Sequence, residues 1–442
     1  MLRIGRGVCG RALAVTLAAS LAIACTHGRP FVRGPAHEPP PRPDAIDHRI
    51  LLIGDAGDPR EDGEPGMEVL EQQVRLLPDR TTVVFLGDNV YETGMPPPSE
   101  LEGTPVEEIL DEALFTLFEG RRDAERRVKA QVKAVDVPGV RAIFVAGNHD
   151  WDQFGIGGWE RVREFERYLV QLREVSAADI RVHPGGGCPG PDSLPVGRRA
   201  QLVLLDTQWW LERGAKPSRE DNSTRCRQVT EDGVLEALKD ELRAAKRSGR
   251  VAVVAAHHPL DTKGPHGGFV DPWAHVFPLT MAGKYVPFYV RWLPFPVLGS
   301  IGVWWRGTRS PSVQDMSNGV YKKMRRRLRD AMEDVAREDA AALVYAAGHD
   351  HSLQVFASRE GPEYTVVSGL GSQSKASSVR HSSATLFAHS NREHPGLVKL
   401  DVLRDGRVRL GVVEWTATTP SGIEVYSRLL DREPEDRVVS RP

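Results

Sequence analysis

Five short stretches of the chain set Asp, Asn or His directly after an apolar run: Gly54-Asp55-Ala56-Gly57, Gly87-Asp88-Asn89-Val90-Tyr91, Gly147-Asn148-His149-Asp150, Ala255-Ala256-His257 and Gly348-His349-Asp350-His351. Carboxylates, carboxamides and imidazoles are O and N donors for metal ions, and Tyr91 adds a phenol three residues after Asp88. A single turn of this kind is usually a surface pair. Five in one chain, each at the end of an apolar run, imply one shared metal site. His258 follows His257 and cannot share its direction on a strand end, so it is expected to support rather than ligate. Asp150 and Asp350 are expected to orient a neighbouring side chain or hold loop backbone. Asp58, His275, His381 and His389 fit no motif and are expected at the surface.

The runs that deliver these residues, at 50–53, 82–86, 142–146, 251–256 and 343–347, are short and rich in Val, Ile and Leu, as buried strands are. Open α/β sheets carry their chemistry at the carboxyl ends of such strands. Helical patterns at about 67–77, 105–135, 159–175 and 230–246 alternate with them, which predicts a sheet built from βαβ units. From Leu353 to about Thr416 the chain reads as strands, with a hairpin at Arg404-Asp405-Gly406, and these are expected to extend a second sheet. The alternation breaks over 260–319, a Pro-, Gly- and aromatic-rich insertion longer than an ordinary loop. Within it, 285–305 is nearly all apolar and contains Trp292, Phe295, Trp304 and Trp305. Pro287, Pro294, Pro296 and Arg291 count against a membrane-spanning helix. A loop that dips into lipid, a lid over the site and a simple cover for one face of the domain all fit. A basic amphipathic helix follows from Tyr321 to about Arg337, either solvated or touching anionic headgroups.

The five motifs, in this order, resemble the calcineurin-like metallophosphoesterase superfamily and, more narrowly, the purple acid phosphatases of the small, tartrate-resistant type. The resemblance spans about 48–413, with the insertion only partly matched. Most metallophosphoesterases open with Asp-x-His, whereas here Gly57 stands in the place of that His and Tyr91 follows the second Asp. A phenolate is a hard, charged ligand suited to Fe(III). The resemblance implies a four-layer αββα sandwich of two mixed sheets flanked by helices, with a dinuclear centre. Asp55, Tyr91 and His351 would hold the ferric ion, Asn148, His257 and His349 a divalent Fe, Zn or Mn, and Asp88 would bridge the two. His149 and His266, the latter in Pro265-His266-Gly267, would bind phosphate oxygens, and at least one would protonate the leaving alkoxide. The implied reaction is hydrolysis of a phosphomonoester by a metal-activated hydroxide, with an acidic optimum. One alternative is a phosphodiesterase, or a lipid or nucleotide phosphatase, acting at a membrane surface. Another, from a different class, is a catalytically silent lipoprotein that binds a partner.

Composition narrows the partners. Lys and Arg total 58 against 60 acids, so no basic excess suggests nucleic acid. Arg3, Arg6 and Arg11 precede an apolar stretch at 12–24, which reads as a secretory leader over residues 1–24. Ala22-Ile23-Ala24-Cys25 resembles a lipobox, although Ala22 stands where Leu is usual and the site would equally suit ordinary signal cleavage. Lipidated Cys25 would make this an exported lipoprotein of the periplasm, outer membrane or cell surface, with the 285–305 loop as a second membrane contact. Residues 25–47 read as a Pro-rich linker, 48–416 as the catalytic domain and 417–442 as a tail. Cys188 and Cys226 either pair across two loops or remain thiols.

Overall fold

The computed structural model describes residues 29–35, 37–97, 112–152, 155, 157–220, 223–269, 272–277, 279, 288–372 and 376–430. The leader and Cys25 lie outside these residues. In chain order the strands are β1 Phe31–Val32, β2 Ile46–Ile53, β3 Thr81–Phe85, β4 Arg141–Phe144, β5 Asp179–Val182, β6 Asp192–Val196, β7 Ala200–Leu204, β8 Val251–Ala255, β9 Ala342–Ala347, β10 Leu353–Ala357, β11 Tyr364–Ser368, β12 Thr385–His389, β13 Gly396–Leu403, β14 Val408–Thr416 and β15 Thr419–Leu430. The helices are α1 Pro65–Arg75, α2 Glu112–Val135, α3 Gly158–Arg173, α4 Gln208–Leu211, α5 Glu231–Arg247, α6 Phe288–Arg291, α7 Pro296–Arg309 and α8 Gly319–Ala336.

The strands form two mixed sheets. One runs β1-β12-β10-β11-β9-β8-β7-β6 and the other β15-β14-β13-β2-β3-β4-β5. At the centre of each the strands are parallel, β2 with β3 and β3 with β4 in one, β7 with β8 and β8 with β9 in the other. Parallel strands covered on both faces need apolar residues at consecutive positions, which is why these runs, such as Ile50-Leu51-Leu52-Ile53 in β2 and Val251-Ala252-Val253-Val254-Ala255 in β8, do not alternate with polar residues. The period of two still sorts them. In β2, Ile50 and Leu52 enter the core between the sheets with Ile143, Val253, Val344 and Leu400. Leu51 and Ile53 face outward to Val69 and Leu70 of α1, Val128 of α2 and Phe165 of α3. In β8, Ala252 and Val254 likewise meet Leu238 and Leu242 of α5 and Met324 and Leu328 of α8. The result is helix, sheet, sheet, helix.

Several expectations are corrected. The strands after Leu353 do not extend one sheet: β10 to β12 join the eight-stranded sheet and β13 to β15 the seven-stranded one. The second sheet continues past residue 416, because β15 pairs along β14 as far as Leu430 opposite Val408. The Pro-rich stretch is docked rather than free: β1 pairs with β12, and the Glu38 carbonyl accepts from Arg409. His389 is buried, its Nδ1 2.6 Å from Glu414 Oε1, and not a surface residue. His275 and His381 are exposed, and half-buried Asp58 pairs with Arg127. Cys188 and Cys226 are joined as a disulfide. No helix among the described residues is long and apolar enough to cross a membrane.

Candidate metal centre

The loops after β2, β3, β4, β8 and β9 meet at the carboxyl edge where the two sheets face each other, and they are stitched together by their own ligand-type side chains. Asp55 Oδ2 accepts from the His349 N–H at 2.8 Å, and Asp88 Oδ1 from the His149 N–H at 2.9 Å. Buried Asp150 accepts from the backbone N–H of Gly147, Asn89 and Val90 at 2.8 to 3.0 Å. It therefore holds loop backbone and not His149. Asp55, Asp88 and His349 sit at φ of 58°, 56° and 69°, a left-handed conformation uncommon outside glycine, though Asp and His adopt it more readily than most residues.

The structure brings all seven expected ligands together in two groups that share Asp88. In the first, the Tyr91 hydroxyl lies 3.0 Å from Asp55 Oδ1, 3.1 Å from Asp88 Oδ2 and 3.2 Å from His351 Nε2. His351 Nε2 is also 3.3 Å from Asp55 Oδ1. In the second, Asn148 Oδ1 lies 2.8 Å from His257 Nε2 and 2.9 Å from His349 Nδ1, and those nitrogens are 3.2 Å apart. Asp88 Oδ1 completes this group at 3.3 Å from His257 Nε2. One carboxylate thus directs one oxygen into each cluster.

Hydrogen bonds on the far side of each ring fix which nitrogen faces inward. His257 donates from Nδ1 to the Leu86 carbonyl at 2.8 Å, and His349 from Nε2 to the Gln314 carbonyl at 2.9 Å. The nitrogens turned toward Asn148 are therefore lone-pair acceptors in the neutral rings. Two such nitrogens, a carboxamide oxygen and a carboxylate oxygen crowd one point, and only added positive charge reconciles them. Burial lowers the pKa of His257, yet the Asp88 carboxylate beside it prevails and lifts it to about 9. Burial, then the charges of Asp55 and Asp88, drives the Tyr91 phenol well above its ordinary value. This donor set fits two cations.

The clusters of His257, His258 and His349 and of Asp55, Asp88 and His257 each bring ligand atoms within 4.8 Å of one another. His258 nevertheless supports, as expected. Its Nε2 donates to Gln314 Oε1 at 2.8 Å, and its Nδ1 lies 2.8 Å from Thr207 Oγ1.

The two remaining histidines flank the site. His149 Nδ1 donates to the Glu92 carbonyl at 2.6 Å, its ring lies 4.4 Å from that of Tyr91, and its Nε2 is 3.9 Å from Asp88 Oδ2. His266 lies with its ring 4.1 Å from that of His349 and donates from Nδ1 to Asp315 Oδ1 at 2.9 Å. Sequence reasoning missed Asp315 and Gln314, both supplied by the insertion. Burial raises the Asp315 pKa, but the His266 hydrogen bond and the charges around it hold the carboxyl down at about 2. No motif marks either residue in the sequence; Asp315 is only the first acid after the stretch without Asp or Glu from Pro272 to Gln314. Asp350 hydrogen-bonds Thr262 in the loop that leads to His266.

A sequence model described as calcineurin-like phosphoesterase matches residues 48–281. The chain belongs to this family of metal-dependent phosphoester hydrolases. Among solved structures it is similar to GAP50, the anchor in the inner membrane complex of Plasmodium, at 14% identity and a TM-score of 0.47 over 88% of this chain and 90% of that one. It is also similar to PhoD, at 11% identity and 0.48 over 87% and 70%, and to a dimetal phosphatase from Danio rerio, at 12% and 0.40 over 88% and 100%. No curated protein matches the chain.

Proposed function

We propose that the protein is a dinuclear phosphomonoesterase of the purple acid phosphatase kind, exported and tethered through Cys25. The observation that carries this reading is the division of the Asp88 carboxylate between a phenol-bearing group and an imidazole-bearing group. Asp55, Tyr91 and His351 would hold Fe(III), and Asn148, His257 and His349 a divalent Fe, Zn or Mn. Two cations held by these residues would supply Lewis-acid polarisation of phosphate oxygen and activation of water. The chain supplies the rest. His149 and His266 are each anchored through Nδ1, so Nε2 is the nitrogen that delivers a proton to the leaving alkoxide. The loop backbone that Asp150 holds fixes Asn89, and with it the direction of Asp88.

The test is metal content, visible absorption and hydrolysis of p-nitrophenyl phosphate on one purified sample. Two metals, a charge-transfer band and turnover are expected. Two metals with no hydrolysis of any phosphoester would favour the silent binding protein. Cys25→Ser is expected to move the protein from the membrane fraction to the soluble one. Unchanged partition would remove the tether.

A second reading, a lipid phosphatase, is favoured by the apolar outer face of α7, where Trp304 is 68% exposed. Turnover of a short-chain phosphatidate and of p-nitrophenyl phosphate, compared with and without the apolar segment at 285–305, decides it. Equal loss on both substrates would reject it.

A further inference from the structure

Helix α7 is built inside out. A helix that covers its own domain turns its large apolar residues inward. Here Val297 is 71% exposed, Leu298 64%, Ile301 55%, Trp304 68% and Trp305 49%, and Trp292, Leu293 and Phe295 just before the helix are 49%, 45% and 41% exposed. The face turned toward the protein carries Gly299, Gly302, Val303 and Arg306, with none of the helix's large aromatic side chains. Gly299 lies so close to the 3-10 turn Pro272–His275 that a Cβ there would sit 2.3 Å from the His275 carbonyl oxygen. Arg306, one turn before the end of the helix, reaches inward to Asp315 at 3.2 Å. Single exposed apolar residues are ordinary, but eight within residues 292–305, three of them Trp, mark a contact surface.

We infer that this face of α7, with Trp292, Leu293 and Phe295, docks on an anionic lipid bilayer. The occupant follows from charge as well as from apolarity. Residues 272–314 contain no Asp or Glu, while Arg291, Arg306, Arg309 and Lys284 lie among them. Exposed Arg309 and Lys322, whose Nζ donates to the Thr308 carbonyl at 3.0 Å, border the C-terminal end of the apolar face. Tryptophan beside Arg and Lys is the composition of a surface lying at the level of lipid headgroups, with apolar side chains below and bases in the anionic layer. A second copy of the chain is a poorer match, because a symmetric contact through this face would set its basic border against itself.

The surface is also joined to the metal centre. Arg306 on the inner side of α7 holds Asp315, Asp315 holds His266, and the His266 ring packs, tilted by 32°, on that of His349. Docking through α7 would therefore fix the orientation of the candidate site relative to the bilayer.

The inference goes beyond the phosphatase reading and is tested without it. The full chain carrying Cys25→Ser, so that no acyl group contributes, is compared with the same chain carrying Ile301→Ser, Trp304→Ser and Trp305→Ser as well. Co-sedimentation uses phosphatidylcholine vesicles with and without phosphatidylglycerol. Because both chains share one N-terminus, their difference isolates α7. Binding to anionic vesicles is expected to weaken roughly tenfold or more in the triple variant, as burial of three apolar side chains is lost. Quenching of Trp fluorescence by brominated lipid should fall with it. Far-UV circular dichroism and metal content should not change, because the substituted side chains are exposed. Equal vesicle binding by the two chains would overturn the inference. So would a parent chain that ignores vesicles and is a dimer that the substitutions convert to a monomer.

Discussion

A buried phenol set against two carboxylates and an imidazole has one proton to share among three acceptors, and this imbalance makes Tyr91 the most informative residue in the chain. Replacing it by Phe keeps the ring that packs on His149 and removes only the oxygen. The visible charge-transfer band is expected to disappear from Tyr91→Phe while the circular dichroism stays the same. A variant that keeps the band would take the phenolate out of the proposed ferric site. Asp315 makes a different residue-scale claim, because it touches no expected ligand directly and acts by positioning His266. A proton donor matters most when the leaving group is poor. Asp315→Asn is therefore expected to slow an alkyl phosphate by about 10²-fold and p-nitrophenyl phosphate only several-fold, with Asp315→Glu recovering part of the loss. Equal slowing on both substrates would mean that Asp315 only supports the fold of the insertion.

At the scale of elements, the site exists because several strand ends approach more closely than side chains normally allow. A Cβ on Gly147 would lie 2.3 Å from both the Asp88 amide nitrogen and Asp88 Oδ1, and one on Gly87 would lie 2.5 Å from His257 Nδ1. Gly147→Ala must push the β4 loop away from the β3 loop and with it separate Asn148 from Asp88. We expect that variant to fold but to retain less than about a tenth of the parent's metal after dialysis, measured by elemental analysis, because misplaced ligands and their support cost 10- to 100-fold in affinity. Full metal content would show that the loops can part without cost. The same crowding explains what the sequence could reveal. The Gly-Asp, Gly-Asn-His and Gly-His pairs are local, and each follows a run of strand-forming residues, so the parallel strands and their ligand-bearing ends were legible. Gln314 and Asp315 were not. They reach His349 and His266 through an irregular segment that has no periodicity, and what fixes their place is the hydrogen bonding of Ser310 and Arg306 to Asp315. Division of the last six strands between two sheets was equally hidden, because a strand's own pattern says which faces are buried but not which neighbour it pairs with.

At the scale of the whole molecule, the protein must keep polar groups in its interior without letting pH undo them. The loop behind the β4 turn shows how. Trp151 donates from Nε1 to Asp206 Oδ2 at 2.8 Å, and Asp206 Oδ1 accepts from the Trp209 N–H at 3.1 Å. The Cys188–Cys226 bond closes a 38-residue separation around the same region, so Cys188→Ser with Cys226→Ser is expected to lower the unfolding free energy by about 2–4 kcal/mol in a denaturant titration. An unchanged midpoint and slope would show that the loops are held by packing alone. Asp206 is buried, and burial raises its pKa to about 7 against the opposing pull of its hydrogen bonds. Its folded pKa thus lies above the unfolded value, so the folded state binds the extra proton between about pH 4 and pH 7. Stability from this group is fully present below that window and is lost as pH rises through it. Asp206→Asn does not titrate, and its NH2, which cannot accept, faces one of the two donors, Trp151 Nε1 or the Trp209 N–H, at every pH, a cost that does not vary with pH. Its unfolding free energy relative to the parent, from a denaturant titration at each pH, should therefore rise steadily from pH 4 to pH 7 and level off above, by on the order of a few kcal/mol in all. A difference that is flat with pH, or largest at the acidic end, would mean that the carboxylate is already ionised at this site in the folded protein, held by donors other than Trp151 and Trp209.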